Sequence, residues 1–383
     1  MPLFAVDTPI GTFKTHIELF YYDINSLEDN ENNSYATVAG GFIDYRSKAL
    51  WGHLGVDIKH YYSHLIFDTK NPNKTSLTDT AGHEINPLAE LYLYYQNDFM
   101  QDGFMEIRVG KQQLNTPLIN SDTTRLIPFS YEAITAKFNF SKTTTLSLGH
   151  VYKYRANNSE NYTDFTSSGY AENGVSFIGL NTRFGDVEHQ WYYFYSKELY
   201  NALHIEVKGK IPYDETRDII YGVQAIYTFK NANGKSIDNL NNGGDNVRLL
   251  ATKVGLKKSG FKSIFSLSYN FGKDGINRGY GGLSSLYTTS MITSGKKQGN
   301  PFAKSLKLKY TYGSNSRKNA YSSALYLTNI TYNSADFHTI NAIYIDHKFH
   351  FRPREYIYLR FERQWIDNVP NRSYFRIISA YEF

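Results

Sequence analysis

Glu355 to Trp365 reads EYIYLRFERQW. Successive side chains of a strand point to opposite faces, so Ile357, Leu359 and Phe361 share one side while Tyr356, Tyr358, Arg360, Glu362 and Gln364 share the other. SLKLKYTY repeats the pattern, with Leu306, Leu308, Tyr310 and Tyr312 opposite Lys307 and Lys309. MEIRVG sets Met105, Ile107 and Val109 against Glu106 and Arg108. One face suits hydrocarbon and the other carries charge. A soluble sandwich alternates as well, with its apolar face inward, so the number of strands has to decide.

Strand-like stretches recur at about 12–22, 34–46, 50–62, 88–98, 104–112, 131–140, 144–154, 175–184, 187–197, 201–210, 218–230, 247–257, 262–272, 304–313, 319–331, 337–349, 355–365 and 373–383. Each is near the ~9–11 residues that a tilted strand needs to cross a bilayer. Short connections such as QDG, SKT, GD and KKSG alternate with long ones at about 23–33, 63–87, 113–130, 155–174, 231–246 and 273–303. An antiparallel meander with two unlike rims gives that alternation. Eighteen strands make open sheets too wide to hold, whereas closure removes every edge. The expected fold is all-β: one transmembrane antiparallel up-and-down β-barrel of about 18 strands, a single domain over 1–383.

Composition agrees. There are 34 Tyr and 25 Phe against 3 Trp and 10 Pro, yet only 41% of residues are hydrophobic, so half of the surface is expected to be wet. Aromatic clusters such as LFYY, YLYY and WYYFY read as interfacial girdles facing outer-membrane lipid and lipopolysaccharide. With no Cys, thiol chemistry is excluded, and a net charge of +5 without a basic run gives no nucleic-acid partner. No apolar run reaches membrane-helix length. The opening MPLFAVDTPIGTF lacks a charged segment and a full apolar stretch, and reads as a mature or trimmed start. The last strand places Phe375, Ile377, Ser379 and Tyr381 on one face and ends on Phe383; Tyr381 and Phe383 are the expected signal to the barrel-assembly machinery of a bacterial outer membrane.

Carried through the strands, the alternation sets Lys14, Lys59, Arg108, Lys137, Lys153, Arg155, Arg183, Lys208, Lys253, Lys307, Lys309, Lys348, Arg360 and Arg376 inward. Opposing them are Glu18, Asp57, Glu106, Glu188, Glu206, Asp346, Glu362 and Glu382, so the lumen has a basic excess. Aligned basic rows between low-dielectric walls read as an anion track. Arg108, Arg155, Arg183 and Arg360 are the expected rungs, because a guanidinium grips a carboxylate with two hydrogen bonds. Lys137, Lys153, Lys307 and Lys309 complete the expected solute-binding set.

Gly110 to Ala133, GKQQLNTPLINSDTTRLIPFSYEA, breaks the pattern with Pro117 and Pro128, hydroxyls, amides and the Asp122/Arg125 pair. Prolines prevent strand pairing there, so 113–130 is the expected constriction, folded into the barrel. RVGKQQLNTPLINSDTTRLIPFSYEA resembles the approach to the third loop in OprD-family outer-membrane porins, matching at Arg108, Gly110, Gln112, Pro117, Asp122, Arg125, Leu126, Pro128 and Glu132. Ala133 stands where that family usually has glycine. The resemblance implies a mostly monomeric 18-stranded channel, with a trimer left open, narrowed by its third loop. It also implies a basic ladder for small solutes bearing a carboxylate, such as amino acids or organic acids, that diffuse passively.

An enzyme is not expected: the 11 His show no zinc-helix spacing, and there is no G-x-S-x-G elbow and no glycine-rich phosphate loop. No cofactor and no metal are implied. The alternative is a surface barrel acting as an adhesin or structural protein, whose loop 273–303 binds a partner or makes a second inward constriction.

Overall fold

The computed structural model describes residues 5–27, 32–67, 69–99, 103–122, 124–165, 173–230, 246–275, 280–281, 286–293, 301–313, 319–332 and 339–382. The strands are β1 Ala5–Asp7, β2 Gly11–Ser26, β3 Ser34–Ser47, β4 Leu54–Leu65, β5 Leu88–Phe99, β6 Gly103–Gln112, β7 Ser130–Asn139, β8 Thr144–Arg155, β9 Val175–Phe184 and β10 Val187–Tyr195. They continue as β11 Tyr200–Pro212, β12 Arg217–Lys230, β13 Arg248–Lys258, β14 Phe261–Asn270, β15 Pro301–Tyr312, β16 Ala320–Tyr332, β17 Thr339–Arg352, β18 Glu355–Ile366 and β19 Arg372–Glu382.

From β2 to β19 every strand pairs antiparallel with its chain neighbours, and β19 returns to β2, from Arg372 opposite Ser26 to Glu382 opposite His16. Eighteen strands therefore close on themselves. Closure satisfies the backbone groups that would each cost several kcal/mol if left unpaired in hydrocarbon. None of the described helices is long and apolar enough to cross a membrane.

The eighteen expected strands are all present, and two details differ from expectation. The stretch around Trp51 is a turn rather than the start of a strand, so β4 begins at Leu54 and runs to Leu65. Leu50 and Trp51 look strand-like by composition, but Trp51 (φ 50) and Gly52 (φ 79) are left-handed, which ends a ladder. The added β1 pairs with Thr12 to Lys14, taking up the part of β2 that runs past its last β19 partner.

Outward positions form the apolar belt: Leu93 is 64% exposed and Val254 53%, values that a water-facing wall would not tolerate in such numbers. Packed cores lie inside. Leu118 and Ile119 meet Tyr280 and Leu286 against β7 to β13, while Leu126 and Ile127 meet Leu77, Ile85 and Met291 against β2 to β5 and β17 to β19. Segments from three long connections thus fill much of the barrel. Phe383 lies outside the described residues; Tyr381 faces outward on β19, opposite Glu355.

The outward face makes a direct prediction. Phe361→Lys, a charge on the lipid side of β18, should destabilise the folded barrel by about 2–4 kcal/mol, as for cations placed at the bilayer midplane. Urea unfolding in liposomes, followed by heat-shifted gel mobility, measures it; unchanged stability would contradict the assigned face.

Candidate functional site

The polar excursion crosses the lumen. The Thr124 carbonyl accepts from Arg376 Nη1 of β19 at 3.1 Å, and Arg125 Nε donates to the Thr75 carbonyl at 3.1 Å. The Leu118 carbonyl accepts from the Tyr280 amide at 2.8 Å. Its hydroxyls and amides serve its own turns: Thr116 Oγ1 donates to the Ile119 carbonyl at 2.8 Å, Ser121 Oγ accepts from the Leu114 amide at 2.9 Å, and Asp122 accepts from the Thr124 amide at 3.0 Å. The chain itself supplies these partners.

The entry to this loop depends on glycine. Gly110 has φ +130, and a Cβ there would lie 2.3 Å from the Leu91 carbonyl oxygen. Gln112, fully buried, donates to the Ala133 carbonyl at 2.9 Å and accepts from Thr135 Oγ1 at 2.8 Å. At the loop's far end Arg155 is 0% exposed; it donates to the Pro128 carbonyl at 2.6 Å, to Ser130 Oγ at 2.9 Å and to the carbonyls of Ala156 and Ser159 at 2.9 and 2.8 Å. This arginine clamps two loops.

A second segment is fastened by one carboxylate. Glu362, 0% exposed on the luminal face of β18, accepts from the Ile292 amide at 2.9 Å, the Thr293 amide at 2.9 Å, Thr293 Oγ1 at 2.6 Å, Ser290 Oγ at 2.8 Å and Gln364 Nε2 at 2.7 Å. Residues 286–293 are thereby held inside the barrel, as one reading of loop 273–303 expected.

Between these loops and the wall from β17 to β4 lies an opening of about 360 Å³. Arg125, Lys348 and Arg360 line it together with His16, Glu18 and Glu382 and with Phe42, Tyr61, Tyr356 and Tyr358. A second opening of about 300 Å³ lies against β2 to β5, and its charges are matched: Lys59 Nζ is 3.2 Å from both Asp44 and Glu90, and Arg46 reaches Asp57 at 3.6 Å and Glu106 at 2.8 Å.

The opposite wall is not matched. Lys257 on β13 stands opposite Lys262 on β14, Lys262 opposite Lys309 on β15, and the same row continues through Ala324, Asp346, Arg360 and Arg376. Strands of a closed barrel are tilted by roughly 35–45°, so such a row climbs along the axis. Lys257 sits at the short-turn end of β13 and Arg376 in the middle of β19. Directly opposed like charges destabilise a sheet. Tyrosine rings hold many luminal cations to the wall: Lys348 lies 3.5 Å from the Tyr356 centroid, Lys253 3.8 Å from Tyr287, Lys307 4.3 Å from Tyr326, Arg360 5.1 Å from Tyr358 and Arg376 4.2 Å from Tyr22.

The expected site residues divide. Arg360, Lys307 and Lys309 are on this luminal wall, and Arg125 reaches it from the loop. Arg108 is luminal on the other side, paired with Glu106 and 5.0 Å from the Tyr92 ring; Lys137 stands opposite Glu106. Arg183 is paired with Glu188 at 2.7 Å near the short-turn end of β9. Lys153 is not luminal: an extra residue, Tyr152, shifts the register between Glu132 and Ala133, and Lys153 pairs with Glu132, which in turn faces Lys111 on the side of Val109. A bulge cannot be read from alternation, so Lys153 and Glu132 both face outward. Arg155 is consumed as a clamp. Asp122 makes no ion pair with Arg125 among the described contacts; it caps its own turn at φ 42, and Arg125 goes to Thr75. Pro117 is half-buried, whereas Pro128 is buried and its carbonyl takes Arg155.

Sequence reasoning missed Lys257 and Lys262 on the row. It also assigned the LFYY cluster to a girdle, although Tyr22 lies beneath the luminal Arg125 and Arg376; Tyr356 and Tyr358, set on the charged side by alternation, do lie beside Lys348 and Arg360.

Three comparisons bear on this geometry. The sequence model of the family described as outer membrane porin, OprD family, matches residues 100–316. No curated protein sequence matches the chain. Among solved structures it is similar to OccK9 (OpdG) of Pseudomonas aeruginosa, with TM-score 0.80, 12% identity and 98% of each chain covered. It is similar to a BenF-like porin of Pseudomonas fluorescens Pf-5, with TM-score 0.81, 14% identity and 99% of each chain covered. It is also similar to Pseudomonas aeruginosa OpdK solved with vanillate, with TM-score 0.77, 10% identity and 97% of this chain and 98% of that one covered. At these identities the likeness is one of fold.

Glu362→Gln should release the inner segment at 286–293, because one carboxylate oxygen becomes an amide N–H facing N–H and O–H donors, at about 1–3 kcal/mol for each buried group left unsatisfied. Single-channel recording should show a larger, noisier conductance from a barrel with unchanged heat-shifted mobility. Parent-like traces would mean that the segment is held by its apolar contacts.

Proposed function

We propose that this chain, which belongs to the OprD family of outer membrane porins, passes small solutes bearing a carboxylate by passive diffusion along Lys257, Lys262, Lys309 and Arg360, the last rung, Arg376, being buried as a loop fastener. The protein is an outer-membrane channel and not an enzyme. What carries the solute reading is the cross-strand row of lysines. Like charges set directly opposite one another cost stability, and an anion moving past them offsets that cost. A low-dielectric wall on either side focuses their field along the passage.

At the narrow part the solute leaves lysines for Arg125 and Arg360, whose forks can replace water on a carboxylate with two hydrogen bonds. Binding has to stay weak, since a solute held too well blocks its own exit. Arg108, Arg183, Lys137 and Lys307 are proposed as auxiliary cations of the same lumen. Support of another kind is the similarity to OpdK, which was solved with vanillate, an aromatic carboxylate.

Changing Lys309 and Arg360 together to Gln should move the reversal potential in a salt gradient towards cation preference and lower liposome uptake of an aromatic carboxylate several-fold. The difference should shrink at 1 M salt, where the screening length falls to about 3 Å. Lys111→Gln, on the outer wall, should change neither. Unchanged selectivity in a folded Lys309/Arg360 variant would leave the row as wetting charge and end the carboxylate reading.

A further inference from the structure

The lipid-facing wall is not smooth. Across β14 to β18 it carries a groove of about 460 Å³, walled by Phe265 and Trp365 and floored by Leu306, Leu327 and Ile343. These residues alternate with luminal ones, so the groove opens towards hydrocarbon. Its upper edge is polar. Lys304, Asn329, Asn341 and Trp365 stand opposite one another in one row, and Asn329 Nδ2 donates to Asn341 Oδ1 at 2.7 Å. Arg363, one outward position below Trp365, lies 5.8 Å from its indole centroid.

We propose that this groove and its edge bind the phosphorylated, acylated glycolipid of the outer leaflet, lipopolysaccharide. Lys304 is near the start of β15, after the long connection 273–303, and Trp365 is near the end of β18 at the same rim of the meander, which is the outer side in this orientation. Below them Leu306, Leu327 and Ile343 are apolar, with Arg363 at the end of that row beneath Trp365; at the upper level the residues become cation, amide and indole, the sequence of chemistries met in passing from acyl chain to headgroup. Among the described residues neither Lys304 nor Arg363 has a carboxylate within ion-pairing distance. Three strand spacings, about 14 Å, and a two-residue step of roughly 7 Å along the strand separate them, about 16 Å in all, so they flank the groove and can meet two anionic groups of one headgroup. The paired amides between them offer donors and acceptors to sugar hydroxyls. Phosphatidylglycerol or phosphatidylethanolamine has one phosphate and no sugar ring, and would leave half of this edge unused.

This inference rests on the outer-membrane orientation and not on the solute, so it can fail while the channel reading stands. Full-length barrel in detergent, titrated with purified bisphosphorylated lipid A and read by native mass spectrometry, should hold one lipid per barrel. Reversing both cations, Lys304→Glu with Arg363→Glu, should weaken it about thirtyfold, at roughly a tenfold factor or less for each cation. Lys304→Gln with Arg363→Gln serves if the reversed barrel loses its heat-shifted mobility, and should also weaken binding. Phosphatidylglycerol and inorganic phosphate should compete poorly. Equal retention of lipid A by parent and variant, or equal competition by phosphatidylglycerol, overturns the assignment.

Discussion

Everything in this molecule follows from one constraint: a chain that crosses hydrocarbon as strands must pair every backbone group with its own neighbours. The ladder between β19 and β2 is where that condition is met last, and without it the edges of those two strands would lie open. Once the sheet closes, two-residue alternation sorts each strand into a lipid side and a lumen side. The lumen then has to be filled or lined with groups that water can reach or that satisfy one another.

Loops folded into such a lumen bring unpaired amides with them, and the fasteners are accordingly charged groups placed at the ends of the problem. Glu362 takes two amides and two hydroxyls of the 286–293 segment, Arg155 takes three carbonyls, and Arg376 takes the Thr124 carbonyl. A buried charge of this kind is costly to remove one-sidedly, because its partners stay buried. The width of the passage is therefore set by side chains of the wall rather than by the loops' own propensity.

The barrel was legible because strand alternation is a local signal repeated eighteen times, and each repeat corrects errors in the others. Boundaries failed where the backbone leaves the ordinary regions, as at Trp51, since side-chain polarity says nothing about φ. The luminal assignment failed at Lys153 for a related reason: one extra residue in β8 reverses every face beyond it. Arg155 shows a different limit. An arginine that satisfies carbonyls and one that waits for a solute look alike in sequence, and burial by a loop is a non-local fact. The constriction was legible as a break in pattern, yet its hydroxyls proved to serve the loop itself, and the open cations came from β13, β14, β15, β17 and β18.

The two sides of the lumen differ in a way that bears on transport. On the β2 to β6 side each cation has acids near it: Lys59 lies between Asp44 and Glu90, Arg46 between Asp57 and Glu106, and Arg108 against Glu106. Such a wall has little net charge but strong local dipoles. On the β13 to β18 side Lys257, Lys262 and Lys309 face one another, and Lys253, Lys307 and Lys348 on the same wall lie over tyrosine rings, which attract a cation without neutralising it. A ring also occupies space that a flexible ammonium would otherwise sweep, so the cation is kept against the wall and its charge stays available. The field across the bore then points from the unmatched wall to the matched one. On the carboxylate reading proposed above, an anion is drawn to the first wall, whereas any second, positive group on the same solute is turned towards the acids of the other, so the bore would orient a dipolar solute before the constriction selects it.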